Sequence, residues 1–252
     1  MTEAALWRLL LWVVLATAAV VAPVLLLIPA PYGRHARAGW GPSVGATLGW
    51  ILMEAPAPLG MALLFAVGDR REPAAIAFLA LWELHYLHRA FVFPLRRRGA
   101  ARPMPLVVVA MGFTFNCLNA YLNGRWLFHL APPVPTAWLL DPRFLAGAAL
   151  FLGGLTLNLH ADETLRGLRR PGDHGYRIPM GGFFRWVTSP NYLGEIVEWC
   201  GWALLTFALP GLVFALFTAA NLAPRARAHH RWYRATFPDY PEGRKALIPR
   251  LL

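Results

Sequence analysis

The sequence carries little charge for its length. Charged residues make up 15% of its 252 residues, whereas a soluble domain usually carries about 25%. Hydrophobic residues make up 57%, which leaves little room for a separate soluble domain. The shortage of charge therefore predicts an integral membrane protein.

Cysteine is also scarce, because only Cys117 and Cys200 occur, both inside apolar runs. They provide neither metal-ligand spacing nor a disulfide framework, so we expect packing residues and predict no metal site. The N-terminal apolar run lacks a basic n-region and is too long for a typical signal peptide. It predicts a retained first helix.

Familiar nucleotide-binding loops are absent from the sequence. No Gly-x-Gly-x-x-Gly follows a strand and no Walker loop occurs, so a nucleotide would not be held by a Rossmann or P-loop fold. Acidic residues number 13 against 24 Lys and Arg, giving a net charge of +11. In a membrane protein basic loops orient the bundle, and no nucleic-acid partner is predicted.

What the sequence does contain is a series of long apolar runs. Each approaches the roughly 20 residues that a membrane-spanning helix needs, and Pro210-Gly211 divides the last run in two. We predict one all-α domain over residues 1–252, an integral membrane bundle of seven transmembrane helices. The predicted helices are at about 5–28, 43–66, 74–94, 104–122, 143–162, 192–209 and 211–223.

Basic residues are concentrated on alternate connections. The predicted outer loops hold only Arg70, Arg71, Arg125 and Arg143. This asymmetry predicts an N-terminus outside and a C-terminus in the cytoplasm. The cytoplasmic part then comprises loops at about 95–103 and 163–191 and a tail at 224–252.

Two predicted helices contain polar residues that could act on a substrate. Glu54 lies among apolar neighbours in WILMEAPAP, where burial favours a neutral carboxyl that can donate a hydrogen bond. A carboxyl that merely joins two helices is the alternative. Tyr86 lies in WELHYLHRAF, and a tyrosine hydroxyl can donate to a carbonyl oxygen as an enolate develops.

Polar side chains are also concentrated between Asn158 and Glu198, next to sequence apolar enough for lipid. Ionisable groups at membrane depth are costly, so this stretch is a functional-site hypothesis. Helical spacing predicts two sets of residues that each share one helix face. The sets are Asn158, Asp162, Leu165 and Arg169, and Asn191, Glu195, Glu198 and Trp202.

The connection between these two helices, RGLRRPGDHGYRIPMGG, is rich in arginine. The planar guanidinium binds phosphate through two parallel hydrogen bonds and stays charged. Basic loop charge in a membrane bundle explains the arginines, but it does not explain Asn158, Asp162 or Asp173. We interpret the two faces and the loop as the walls of a site for an anionic ligand.

These segments resemble the membrane steroid 5α-reductases (3-oxo-5α-steroid 4-dehydrogenases), in a bacterial-type form. The stretch NLHADETLRGLRRPGDHGYRIPMGGFFRWVTSPNYLGEIVEWCGWAL is similar to the family's cofactor region, and AHHRWYRATFPDYPEGRKALIP to its C-terminal signature. WILMEAP and LHYLHRAFVFPL resemble its two substrate segments. The resemblance covers most of the chain after the first helix.

The resemblance implies NADPH-dependent reduction of the C4=C5 double bond of 3-oxo-Δ4-steroids to 5α-3-oxosteroids. NADPH would bind from the cytoplasmic side, and the steroid or another lipophilic enone would enter from the membrane lipid, in the inner or cell membrane if the source is bacterial. Glu54 and Tyr86 would bind the 3-keto oxygen. The residues implied around the dinucleotide are Arg102, Asn158, Asp162, Arg169, Tyr176, Arg177, Asn191, Glu195, Glu198, His229, Tyr233 and Arg244.

One departure from the family is visible at Met53, where some relatives have glutamine beside the glutamate. A methionine would weaken the hydrogen-bond network expected around Glu54, and it leaves the preferred steroid open.

Three other functions fit parts of the pattern. A related membrane reductase could act on an enoyl thioester or a polyprenal. An isoprenylcysteine-type methyltransferase would bind S-adenosylmethionine, although methyl transfer to a carboxylate needs no enone-polarising pair such as Glu54 and Tyr86. A non-catalytic sterol-binding protein would leave the polar helix faces without a role.

Overall fold

The computed structural model describes residues 1–98, 102–169 and 175–252. These residues are mostly helical, with one two-stranded antiparallel sheet, so the all-α class is confirmed. The α-helices are α1 (Glu3–Leu27), α2 (Ala46–Glu54), α3 (Pro56–Val67), α4 (Pro73–Leu87), α5 (Phe93–Arg96), α6 (Leu106–Arg125), α7 (Pro142–Gly167), α8 (Pro190–Thr206) and α9 (Leu209–Thr236). The strands are β1 (Ser43–Val44) and β2 (Met104–Pro105).

Two α-helices continue into π-helical turns, and three short 3₁₀ helices lie in the connections between helices. Two π-helical turns follow α4 and α6, at His88–Val92 and Trp126–Leu130. Short 3₁₀ helices lie at Gly33–His35, Thr136–Leu140 and Gly182–Arg185.

Five helical segments in the described part of the chain are long and apolar enough to cross a membrane. They are Glu3–Leu27, Ala46–Val67, Leu106–Leu130, Pro142–Gly167 and Leu209–Thr236. The other two predicted helices also form, but α4 has 15 residues and α8 has 17. Seven spans therefore stay a prediction, whereas a helical membrane protein is supported.

The predicted C-terminal ends of two helices are wrong. α7 continues to Gly167 and α9 to Thr236, so the predicted loop at 163–191 and the tail at 224–252 both begin as helix. Helix formation does not require apolar residues, and Glu, Leu, Arg and Ala favour it strongly. The C-terminal ends that hydrophobicity predicted for these two helices therefore lie too early in the sequence.

Two details follow from these corrected ends. Arg169 lies beyond the end of α7, so it does not share that helix's face as predicted. Parts of the predicted loops at 95–103 and 163–191, including Asp173, lie outside the described residues.

Prolines account for both helix breaks near the proposed sites. α8 ends at Thr206, Phe207 has a left-handed φ of 46°, and Pro210 lies in the first turn of α9, which confirms the predicted division. The predicted helix at 43–66 is divided into α2 and α3 immediately after Glu54. Pro58 has no N–H, so it cannot donate to the carbonyl of Glu54 four residues earlier.

The chain forms two compact units. The first contains Met1–Val13, Pro31–Arg97 and the segment that ends at Leu145, and the second contains Val14–Ala30 and Ala146–Leu252. In the first unit α6 packs against both α2 and α3. In the second, α8 packs along α9 around a core that includes Trp199, Trp202 and Phe214.

In the first unit, segments that connect the helices contact each other near the two ends of α6. At its C-terminal end Arg125 pairs with Glu3, at 2.5 and 2.9 Å, and Asp69 N–H donates to the Phe128 carbonyl at 3.0 Å. At its N-terminal end β1 pairs with β2. Within this unit, the predicted outer segments that contain Glu3, Asp69 and Arg125 thus lie at one end of α6, and the predicted inner segments that contain β1 and β2 lie at the other.

Candidate functional site

Glu54 is the last residue of α2 and is partly buried. The side-chain amide of Asn116, from α6, donates to Glu54 Oε2 at 3.1 Å and to the Met53 carbonyl at 2.8 Å. One amide nitrogen therefore joins the end of α2 to the middle of α6. This contact positions the carboxyl that the sequence singled out.

Tyr86 is 4% exposed and lies one residue before the end of α4. Its hydroxyl oxygen lies 3.4 Å from Nδ2 of Asn119, and its ring packs against Trp82 and His85 with centroids 4.8 Å away in each case. A π-helical turn begins two residues later at His88. Such turns occur frequently at functional sites.

The sequence-based prediction missed the residues that hold this pair, which are three asparagines of α6. Asn116, Asn119 and Asn123 are 5%, 3% and 1% exposed. We call them the asparagine row. Buried amides must be hydrogen-bonded, so their i, i+3, i+7 spacing in FNCLNAYLNG is a signal that could have located them.

Two tryptophans fix the helices that carry Glu54 and Tyr86. Trp82 Nε1 donates to the Ala57 carbonyl at 3.1 Å, which joins α4 to α3. Trp50 Nε1 donates to the Arg89 carbonyl at 3.0 Å, and the Arg89 guanidinium lies 4.7 Å from the Trp50 ring centre. The helices that carry Glu54 and Tyr86 are therefore joined to their neighbours by hydrogen bonds to backbone carbonyls as well as by packing.

Met53 has no side-chain group that could donate a hydrogen bond to Glu54, but Asn116 of α6 does donate one. The Met53 side chain lies against Gly112 of α6, in the space that a Cβ at position 112 would need. The hydrogen bond to Glu54 comes from Asn116. The expected weakening of the network at Met53 stays a prediction.

In the second unit the polar faces of α7 and α8 meet as the helical spacing predicts. Asn158 Nδ2 lies 3.0 Å from the Asn191 carbonyl and 3.3 Å from Glu195 Oε2. Asn191 Nδ2 donates to Asp162 Oδ1 at 3.0 Å. Four residues singled out in the sequence therefore form one network, with Asp162, Asn191 and Glu195 still partly exposed.

Glu198 differs from these neighbours because it is fully buried, at 0% exposure. It lies one turn from Glu195 on α8, where its backbone N–H occupies the space that a Cβ on Gly154 would need. The structure thus places this residue inside the helix pair, whereas the sequence predicted it on an open wall.

Glycines permit the close approach of α7 and α8. A Cβ on Gly147 would lie 2.5 Å from Leu205 N, and one on Gly194 would lie 2.6 Å from Asn158 N. Such distances are far below van der Waals contact, so any side chain at these positions would force the helices apart. The close approach is what lets the short Asn158 side chain reach the backbone of α8.

Arginine and aromatic side chains beyond α7 form a second group. The Arg169 guanidinium lies 5.2 Å from the Tyr176 ring, whose centroid is 5.0 Å from that of Trp232 on α9. The Trp232 ring centroid lies 5.2 Å from that of Tyr233. Arg169, Tyr176 and Tyr233 were predicted together, whereas Trp232, which connects them, was not.

Arg177 lies in the same group. Its Nη1 donates to the Leu168 carbonyl at 2.9 Å, and the Tyr233 hydroxyl lies 3.5 Å from the Arg177 carbonyl. Both contacts involve backbone carbonyls, so they fix the segment around Arg177 on the ends of α7 and α9.

Arg244 is the most deeply buried guanidinium of this group, at 2% exposure. Its Nη2 lies 3.4 Å from Met180 Sδ and its Cζ lies 5.0 Å from the Tyr240 ring centre. Nε and Nη1 are buried and have no hydrogen-bond partner among the described residues. A buried charge normally requires a partner, so these atoms fit an anionic group such as a phosphate.

The two remaining predicted residues have other neighbours in the structure. The His229 ring packs on Tyr192, with centroids 5.4 Å apart, in the second unit. Arg102 lies in the first unit, where it lines a cavity of about 360 Å³ together with Arg37, Trp40 and Ser43.

The two cysteines, Cys117 and Cys200, are exposed, so the expectation that they are packing residues is wrong.

Comparison with known proteins gives matches over most of the chain. The family model for 3-oxo-5-alpha-steroid 4-dehydrogenase matches residues 102–252. The chain is 44% identical over 230 residues to a steroid 5-alpha-reductase of Gossypium hirsutum, covering 89% of each protein. It is 44% identical over 241 residues to the 3-oxo-5-alpha-steroid 4-dehydrogenase 1 of Bos taurus, covering 92% of each. The protein of the same name from Homo sapiens is 43% identical over 223 residues, covering 87% of this chain and 85% of that protein.

Proposed function

The chain belongs to the 3-oxo-5-alpha-steroid 4-dehydrogenase family, and from this premise we propose that it reduces 3-oxo-Δ4-steroids at their C4=C5 double bond. The products are 5α-3-oxosteroids and the electron donor is NADPH. The protein is an oxidoreductase that acts on a CH–CH group. Its substrate is lipophilic and enters from the membrane lipid around the apolar helices.

The observation that carries this proposal is the placement of Glu54 and Tyr86 on neighbouring amides of α6. Asn116 contacts the first and Asn119 the second, three residues apart on one buried face. A carboxyl and a phenol held by amides three residues apart on one helix face can both donate to one ketone oxygen, which has two lone pairs.

The chemistry requires negative charge to be stabilised at that oxygen. When bound, NADPH supplies a hydride to the carbon β to the ketone. The Glu54 carboxyl and the Tyr86 hydroxyl donate hydrogen bonds to the 3-keto oxygen as it gains enolate character, and a proton then reaches the α-carbon. Each such donor is typically worth about 10²- to 10³-fold in turnover.

Residues of the second unit suit the binding of the dinucleotide. The buried, incompletely bonded guanidinium of Arg244 suits a phosphate, as does Arg169 beside Tyr176. Asn158, Asp162, Asn191 and Glu195 offer carboxylates and amides for ribose hydroxyls or the carboxamide. We assign NADPH to these residues, with His229, Tyr233, Arg177 and Glu198 as further members of the set, whereas Arg102 is assigned on the family resemblance alone.

The nucleotide that co-purifies with the protein tests the cofactor assignment. The protein is purified in mild detergent, denatured, and the released small molecules are identified by mass spectrometry. NADPH or NADP⁺ is the expected result. S-adenosylmethionine would overturn the proposal in favour of a methyltransferase.

A further inference from the structure

The orientation of the Asn116 amide can be established from its backbone partner. Its Nδ2 lies 2.8 Å from the Met53 carbonyl oxygen and 3.1 Å from Glu54 Oε2. A backbone carbonyl can only accept, so the atom that faces it must be the amide nitrogen. The nitrogen therefore also presents a hydrogen to Glu54.

The same reasoning fixes Asn119 through its neighbour. Asn123 Nδ2 donates to the Asn119 backbone carbonyl at 3.1 Å, which identifies it as a nitrogen. It also donates to Asn119 Oδ1 at 3.0 Å, so that atom is the oxygen of the Asn119 amide. Nδ2 of Asn119 is then the atom 3.4 Å from the Tyr86 hydroxyl oxygen, and it donates.

We propose that the asparagine row sets the direction of the hydrogen bonds that Glu54 and Tyr86 make, so that both act as donors toward the substrate. This inference rests on the proposed function, in which the two residues bind a ketone oxygen. Asn116 and Asn119 are positioning residues in this scheme, because they act through Glu54 and Tyr86.

For Glu54 the consequence concerns which oxygen carries the proton. A neutral carboxyl has one carbonyl oxygen that accepts and one hydroxyl that donates. Because Asn116 donates to Oε2, that oxygen takes the carbonyl role and the proton belongs on Oε1. Without the amide both forms of the acid become comparable in energy, and part of the population has the proton on the wrong oxygen.

For Tyr86 the consequence concerns the hydroxyl hydrogen. An N–H that donates to the phenol oxygen leaves the phenol's own hydrogen unused by that contact. A carboxylate at position 119 would reverse the contact, because it can only accept and would take the hydrogen that the ketone needs.

The test combines infrared spectroscopy with kinetics on the full-length protein in detergent. The difference spectrum between the wild type and Glu54→Gln isolates the carboxylic C=O band of Glu54, with no need for steroid turnover. In Asn116→Leu we expect this band at higher wavenumber, because its carbonyl oxygen has lost a donor. We expect kcat for a 4-ene-3-ketosteroid to fall by roughly 10- to 100-fold, as small misplacements do, with the Kd of NADPH unchanged.

Cys117→Leu serves as the matched control, because it adds leucine at the neighbouring but exposed position of α6. Asn116→Gln, which keeps the amide, should retain more turnover than Asn116→Leu and remains informative if the leucine variant does not fold. Asn119→Asp should lower kcat more than Asn119→Ser does.

Two results would overturn the inference. One is a Glu54 band that is absent from the wild type, and the other is a band that Asn116→Leu leaves in place. If the wild type reduces no steroid, the proposed function fails, whereas the band still reports on Asn116 independently.

Discussion

At the scale of single residues, the proposed reaction depends on the hydrogens that Glu54 and Tyr86 donate. Glu54→Gln and Tyr86→Phe should each lower kcat by roughly 10²- to 10³-fold, the usual effect of removing a donor to a developing oxyanion. The Kd of NADPH, followed by fluorescence titration, should change much less, because neither side chain is assigned to the cofactor. Equal losses of cofactor affinity and turnover in both variants would contradict the assignment of Glu54 and Tyr86 to the substrate ketone.

Arg244 provides the corresponding test for the cofactor residues. Arg244→Gln should weaken NADPH binding by roughly 10- to 100-fold, since a hydrogen bond to a charged group contributes about 1.5–3 kcal/mol. Arg227→Gln removes an exposed guanidinium of α9 and should leave the Kd nearly unchanged. An unchanged Kd in Arg244→Gln, or an equal loss in both variants, contradicts the role given to Arg244.

The contacts of side chains could be predicted from the sequence where polar residues recur at helical spacing. They could not be predicted where a contact joins residues far apart in the chain. Asn158, Asp162, Asn191 and Glu195 share helix faces that a 3.6-residue period reveals, and they do meet. The hydrogen bond between Asn116 and Glu54 joins positions on different helices. The spacing of the asparagine row could have shown that these residues share one helix face, but no local pattern specifies their partners Glu54 and Tyr86.

At the scale of elements, the contact of α7 with α8 requires particular glycines. Gly154→Ala should lower the free energy of unfolding by about 1–3 kcal/mol, because the added methyl meets the backbone of α8 and the helices must separate. The neighbouring Gly153→Ala meets nothing within 4 Å and should be neutral or stabilising by up to about 1 kcal/mol.

Thermal unfolding in detergent compares the two variants directly. We expect a lower Tm and weaker NADPH binding in Gly154→Ala, because Asn158 would be drawn away from Asn191 and Glu195. A Tm that falls equally in Gly153→Ala would show that close packing is not the cause.

The existence of each element could be predicted better than its ends. All the apolar runs became helices, because a polypeptide in lipid must satisfy its backbone internally. The ends of α7 and α9 were placed too early, since these helices continue through polar sequence into Gly167 and Thr236. The division after Glu54 was missed, although Pro56 and Pro58 were present to indicate it.

At the scale of the whole molecule, the distribution of basic residues predicts the orientation in the membrane. The grouping of Glu3, Asp69 and Arg125 near one end of α6 is consistent with the alternation of outer and inner connections. A reporter that fluoresces only in the cytoplasm should therefore be active when fused after Leu252. Activity of an exported phosphatase at the same position would reverse the predicted orientation.

The most direct measurement is the product formed when the purified protein is incubated with NADPH and a 4-ene-3-ketosteroid. We predict a product that has gained one hydride and one proton across C4=C5, with 5α configuration, and one NADPH oxidised for each molecule formed. Mass spectrometry and comparison with stereochemical standards identify it. Recovery of unchanged steroid, while the same preparation reduces an enoyl thioester or a polyprenal, would contradict the proposed substrate.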